Sequence, residues 1–216
     1  MAREGIPFIF VFLVPAIVFL VLGWWIAAGS CLALSAFMAF FFRDPNRDCP
    51  TDESLVISPA DGRVLLVAPV DATAKNSPVQ ISIFLSPLDV HINRSPIGGE
   101  IMDVVYKPGA FHIASRDVAS VENEQNVVTV RGPQVTIVFR QIAGALARRV
   151  VFKKKKGDHV AIGERIGLMK FSSRMDVVMP VEVEVLTHKG ARVVGGVTAI
   201  GRVRSPAPGP SNASPV

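Results

Sequence analysis

The 37 positions from Ile6 to Phe42 carry no charged residue, whereas the rest of the chain breaks short apolar runs with polar punctuation. One bilayer crossing takes about 20 helical residues, so this stretch is too long for a single span. Gly23 divides it into Ile6–Leu22 and Trp24–Phe42, with Trp24 and Trp25 at the divide, where amphipathic rings meet a membrane interface. The pattern predicts a helical membrane hairpin over residues 1–42. A buried helical pair is the competing reading, and it fits poorly because so long an uncharged run seldom packs inside a globular core. A cleaved signal peptide is disfavoured, since its apolar core is about 7–15 residues behind a more basic start. Arg3 precedes the hairpin, and Arg43 and Arg47 follow it. Positive-inside bias therefore puts both ends, and the domain that follows, on the cytoplasmic face of the cell membrane.

Beyond Phe42 the apolar runs are short and β-branched: Leu55–Ile57, Arg63–Val67, Val79–Leu85, Ile101–Tyr106, Val127–Val130, Val135–Arg140, Arg149–Lys153, Met175–Val178 and Val181–Leu186. Each is bounded by Gly, Pro, Asp or Asn and reads as a strand. One short helix is expected near Gln141–Arg148, so the fold class is mainly β, an antiparallel β-sheet domain over residues 43–204 preceded by the helical hairpin. Ser205–Val216, with four prolines, reads as a disordered tail. Lys156-Gly157, Val160 and Gly163 recur 33 positions later as Lys189-Gly190, Val193 and Gly196. This repeat is similar to the hairpins of lipoyl and biotinyl hammerhead domains, whose glycines allow tight turns.

Composition narrows the class. Half of the 216 residues are hydrophobic and 19% are charged, which excludes disorder as the main state. Two cysteines, Cys31 and Cys49, cannot build a disulfide scaffold and lack metal-ligand spacing. Arg3 and Glu4 cancel, so the net charge of +5 belongs to the chain after Phe42 and favours anionic partners. Lys153–Lys156 is either a solvated basic turn or a patch for an anionic lipid surface. Nucleic acid is an improbable partner, because the basic residues lack interleaved aromatics.

The candidate chemistry lies in loops after apolar strands. His91 sits in Ser86-Pro87-Leu88-Asp89-Val90-His91-Ile92-Asn93-Arg94-Ser95-Pro96, and His112 follows another strand in Pro108-Gly109-Ala110-Phe111-His112. His159 and His188 lie in the repeated turns and read as solvated. Asp61, in Ser58-Pro59-Ala60-Asp61-Gly62, is either a turn residue or a carboxylate that orients a histidine, as in Ser-His-Asp systems. Ser172-Ser173 puts two hydroxyls between apolar segments.

In order, Phe40-Phe41-Phe42-Arg43-Asp44-Pro45, Ser58 to Gly62, Ser86 to Pro96, and Ile166-Gly167-Leu168-Met169-Lys170-Phe171-Ser172-Ser173-Arg174 resemble the short, archaeal-type phosphatidylserine decarboxylases. The resemblance spans all but the tail. It implies a pyruvoyl-dependent carboxy-lyase that converts phosphatidylserine in the membrane to phosphatidylethanolamine. It also implies a proenzyme cleaved between Ser172 and Ser173 into a β subunit, 1–172, and an α subunit, 173–216, which stay together. Ser173 would become the pyruvoyl group and form a Schiff base with the substrate amine. His91, oriented by Asp61, is the expected base for self-cleavage and the expected proton donor afterwards. Ser172 stands where the family usually has glycine, and Arg94 where longer bacterial relatives carry a second histidine, so one histidine serves both steps or His112 takes one. No metal is implied, and a homo-oligomer is left open. The rival readings are a non-catalytic membrane-anchored hammerhead adaptor and a pyruvoyl decarboxylase for another amino-acid substrate.

Overall fold

The uncharged run folds into two helices, α1 (Ile6–Val21) and α2 (Trp25–Phe41), behind a 3-10 turn at Arg3–Gly5. The structure is a computed structural model and describes residues 1–145, 150–171 and 173–204. Gly23 joins the helices at φ +75°, a left-handed value that a Cβ opposes. Arg3–Val21 forms 19 helical residues of mean hydropathy 2.4, about 28 Å at 1.5 Å per residue, close to a hydrocarbon core of about 30 Å. With 17 residues, α2 is slightly shorter. Val11, Ile17, Val21, Trp25 and Ile26 point outward and are exposed.

Fourteen strands follow among the described residues. The first seven are β1 (Leu55–Ile57), β2 (Gly62–Pro69), β3 (Val79–Leu85), β4 (Ile92–Arg94), β5 (Gly99–Lys107), β6 (Gln125–Arg131) and β7 (Thr136–Ile142), with the four-residue helix α3 (Ala119–Glu122) ahead of β6. The others are β8 (Val150–Phe152), β9 (His159–Val160), β10 (Arg165–Met169), β11 (Ser173–Met179), β12 (Val183–Val185), β13 (Arg192–Val193) and β14 (Ala199–Val203). Eight of them form one antiparallel sheet in the order β13-β2-β3-β11-β7-β6-β5-β9, and β1-β14-β12 and β4-β10-β8 form two small antiparallel sheets. The domain is mainly antiparallel β. A row of apolar residues in register, Val67, Ile81, Val177, Phe139, Val128 and Val104, crosses the large sheet from β2 to β5 and anchors the core.

The strand orders fall into two matching sets of seven, in which β1, β2, β3, β11, β12, β13 and β14 take the same places as β4, β5, β6, β7, β8, β9 and β10. The turn Ser58-Pro59-Ala60-Asp61-Gly62 has its counterpart in Ser95-Pro96-Ile97-Gly98-Gly99, 37 positions on. In each, the serine Oγ donates to the carbonyl two residues later at 2.6 Å. The turns also exchange hydrogen bonds: Ile57 N–H donates to the Pro96 carbonyl and Arg94 N–H to the Pro59 carbonyl, each at 2.9 Å. The Lys-Gly repeat obeys the same symmetry, since Gly190 N–H donates to the Val64 carbonyl and Gly157 N–H to the Ile101 carbonyl. Gly157, Gly163, Gly190 and Gly196 all hold φ between +73° and +90°, which explains why that spacing keeps glycine.

Two expectations are corrected. Gln141 and Ile142 close β7 rather than open a helix, because β11 and β6 pair with them on both sides; positions 146–149 lie outside the described residues. The polar stretch after β3 is not loop throughout, as Ile92–Arg94 forms β4 against β10. The tail 205–216 also lies outside the described residues.

Gly163 tests this framework. Its φ is +73°, and an added Cβ would stand 2.3 Å from Cys49 Sγ. Gly163→Ala is expected to lower unfolding stability by at least about 1–2 kcal/mol, the cost of the left-handed conformation alone, in denaturant titrations of the detergent-solubilised protein.

Candidate active site

Strand β11 is interior to the large sheet, hydrogen-bonded to β3 on one side and β7 on the other. Ser173 opens it, in register with Leu85, and is fully buried, with its Oγ lacking a hydrogen-bond partner among the described residues. Strand periodicity puts Ser173, Met175, Gln141 and Asn126 on one face, and Arg174 and Asp176 on the other. Arg174 is 1% exposed; its Nε donates to Asp176 Oδ1 at 2.7 Å and its Nη2 to Ser82 Oγ at 2.7 Å. Asp176 Oδ2 accepts from Ser120 Oγ of α3 and from Gln80 Nε2. A buried ion pair survives only when its spare donors and acceptors are filled, as they are here.

His91 precedes β4 and is 2% exposed. Its Nδ1 lies 2.9 Å from the Asp89 carbonyl oxygen. A carbonyl can only accept, so Nδ1 carries the hydrogen and Nε2 keeps its lone pair, buried and without a partner among the described residues. Burial pushes the His91 pKa down to about 4, with Arg43 adding to that; the Asp89 carbonyl, the Asp89 carboxylate and Asp61 oppose it. The Asp89 carboxylate fixes the turn by accepting from Ser86 N–H and Oγ, each at 2.8 Å, and from Arg192.

Asp61 is not the group that orients this imidazole. Arg47 clamps the Asp61 carboxylate with two donors at 2.5 and 2.8 Å, and Gly195 N–H adds a third at 2.8 Å. Arg47 also reaches the Gly195 carbonyl. Asp61 thus fastens the segment after α2 to the repeated glycine turn. His112 has a partner of its own: its Nε2 lies 2.9 Å from Glu122 at an exposed position. Ser172 lies outside the described residues.

Several site residues were not singled out from the sequence. Phe41, the last residue of α2, lies with its ring centroid 4.2 Å from that of His91 and stacks on Phe171 at 4.6 Å. It belongs to a buried cluster with Phe42, Val90, Ile92 and Leu168, so the helical hairpin roofs the histidine. Phe171, two residues before Ser173, is the one positive-φ non-glycine among the described residues, at φ +53°. Backbone strain of this kind persists only where surrounding contacts hold it. Its signal was available in the Phe-rich ends of both segments.

A sequence model of the phosphatidylserine decarboxylase family matches residues 34–201, which include Phe41, Asp61, His91 and Ser173. The chain belongs to this family. A phosphatidylserine decarboxylase proenzyme of Solibacter usitatus is 49% identical over 171 residues, covering 79% of this chain and 81% of that protein. Proenzymes of the same name from Carboxydothermus hydrogenoformans and Magnetococcus marinus are 42% and 38% identical, each covering 94% of this chain and 97% and 95% of their own lengths. Against the other relatives of a decarboxylase family, the adaptor reading has no support.

The buried pair beside Ser173 is testable by stability. Arg174→Met leaves Asp176 charged and without its cation, so a loss of about 3–5 kcal/mol is expected in denaturant unfolding.

Proposed function

We propose that the protein is a membrane-anchored phosphatidylserine decarboxylase that matures by cutting itself between Ser172 and Ser173. The observation that carries this is that Ser173 Oγ and His91 Nε2 are both buried and without a hydrogen-bond partner among the described residues, in a chain of this family. A buried hydroxyl without a partner costs stability, so its retention points to chemistry rather than to folding.

His91 Nε2, with its lone pair free, takes the Ser173 hydroxyl proton. The Oγ attacks the preceding carbonyl carbon, the peptide C–N bond breaks, and the amine of residue 173 takes the proton back, leaving an ester. Loss of the Ser173 α-proton with expulsion of the Ser172 carboxylate gives a dehydroalanine at residue 173; its imine tautomer loses ammonia to water, and the pyruvoyl group blocks the new terminus. The residues present fit this group, because no other group among the described residues uses the Ser173 hydroxyl. Once formed, it supplies an electrophilic carbonyl that accepts electrons as carbon dioxide leaves. His91 then holds the proton for the former α-carbon. Asp61 acts as a positioning residue, through Arg47 and the Gly195 turn. The subunits 1–172 and 173–216 stay together because β11 lies between β3 and β7.

The anchor suits a lipid substrate. Arg3 and Arg43 at the two ends of the hairpin favour a cytoplasmic domain. Lys153 pairs with Glu4 at 2.7 Å and Lys154 with Glu164 at 2.5 Å, so the run of four lysines is partly neutralised and lies at the base of α1.

Intact mass of the purified protein is expected to show two fragments, the second blocked at residue 173, and a single chain for Ser173→Ala. His91→Ala is expected to remain uncut. A folded His91→Ala chain that cuts and decarboxylates normally would remove His91 from the mechanism. Cleavage needs neutral imidazole, so its rate is expected to stay flat from pH 8 to about 5 and to fall roughly tenfold per unit below about pH 4. A midpoint near 6.5 would show a solvated histidine instead.

A further inference from the structure

Phe41 touches two residues of the site and has no part in the mechanism above. It closes α2 and is 0% exposed, although Phe40 beside it is exposed. Its ring centroid lies 4.2 Å from that of His91, with the planes 34° apart, and 4.6 Å from that of Phe171, with the planes 26° apart. One side chain thus packs on the candidate base and on the residue two positions before Ser173. Phe171 holds φ +53°, a left-handed value that a Cβ opposes, so neighbouring contacts must keep it there.

The hairpin delivers this ring. Val90, Ile92 and Leu168 of the domain form a cluster with it, and Phe8 and Phe12 of α1 pack against that cluster. Ala2 N–H donates to the Phe42 carbonyl at 2.9 Å, and Glu4 pairs with Lys153. Gly5 is buried against Phe42, and a Cβ there would run into Cβ and Cγ of that side chain. Docking of the hairpin and the cover over His91 are therefore one contact. The charges around the imidazole come from elsewhere: Asp89 with its partner Arg192, Arg43 after α2, and Asp61 held by Arg47. A change at Phe41 leaves each of these charges in the chain.

We propose that Phe41 is a positioning residue for self-cleavage: its ring keeps His91 dry and oriented and holds Phe171 in its left-handed conformation, so the chain matures only with the hairpin docked. This inference rests on the self-processing reading. The flat ring fills space beside the imidazole that water would otherwise take, and a dry imidazole stays neutral and able to accept the Ser173 proton. The Asp89 carbonyl fixes one edge of the imidazole through Nδ1, and the stacked ring fixes its plane.

The test follows cleavage by intact mass, for full-length chains made in a cell-free system with vesicles, stopped, and shifted to about pH 8 or about pH 5.5. Wild type, Ser173→Ala, Phe41→Ala, Phe41→Leu and Gly5→Ala are compared, with thermal unfolding of each. Wild type is expected to cut equally fast at both pH values. Phe41→Ala admits water, so its His91 titrates closer to the ordinary value of 6.5. Its cleavage is expected to run about tenfold slower in acid than in base. Phe41→Leu restores apolar cover and is expected to recover the pH-independent rate. Gly5→Ala keeps the Phe41 ring but displaces Phe42, and is expected to share the acid slowing of Phe41→Ala. A merely structural role would lower stability without moving the ratio of the two rates. The wild-type ratio in folded Phe41→Ala, or in folded Gly5→Ala if Phe41→Ala unfolds, overturns the proposal while leaving self-processing intact. An uncut wild-type chain overturns the self-processing reading and this proposal with it.

Discussion

Strand β11 is hydrogen-bonded along both edges, and the rest of the molecule is organised around that fact. It pairs with β3 from Ser173 to Met179 and with β7 from Arg174 to Val178. Interior pairing leaves no slack in register, because a one-residue slip would turn Arg174 and Asp176 into the apolar face and Met175 and Val177 out of it. The same pairing buries Ser173 and fixes the sheet face on which its side chain lies. On the proposed reading, the chain must therefore fold before it can cut, and the α fragment begins inside the sheet that retains it.

The two halves share a scaffold but not the residues of the site. Both use a Ser-Pro turn, a glycine with φ near +150°, and a Lys-Gly turn that returns a hydrogen bond to the strand. These shared features are backbone requirements, so they persist in both copies. The polar groups do not. Asp61 corresponds to Gly98, His91 to Ser54 and Asn93 to Val56. Symmetry thus separates what the fold needs from what the chemistry needs.

The helical hairpin is part of this environment. Phe41 covers His91, and Phe42 packs with Phe8 and Phe171, so the end of the helical hairpin removes water from the imidazole. That desolvation keeps His91 neutral and its Nε2 lone pair available near neutral pH.

Patterning alone determined the helical pair, most of the strands and the antiparallel class, because hydrophobic periodicity and turn residues are local signals. Motif order pointed to Ser173, His91 and Asp61, and the 33-residue repeat located the glycine turns. The 37-residue Ser-Pro repeat was present in the sequence too, but its meaning rests on hydrogen bonds between segments that periodicity cannot see. Only the tertiary structure decided which partners meet. It gave the Asp89 carbonyl, not Asp61, to His91; it gave Asp61 to Arg47; it turned Gln141 from an expected helix into a strand that grips Asn93. Each of these depends on strand register between residues distant in sequence, where one buried donor and one buried acceptor must find each other and local preference has no say.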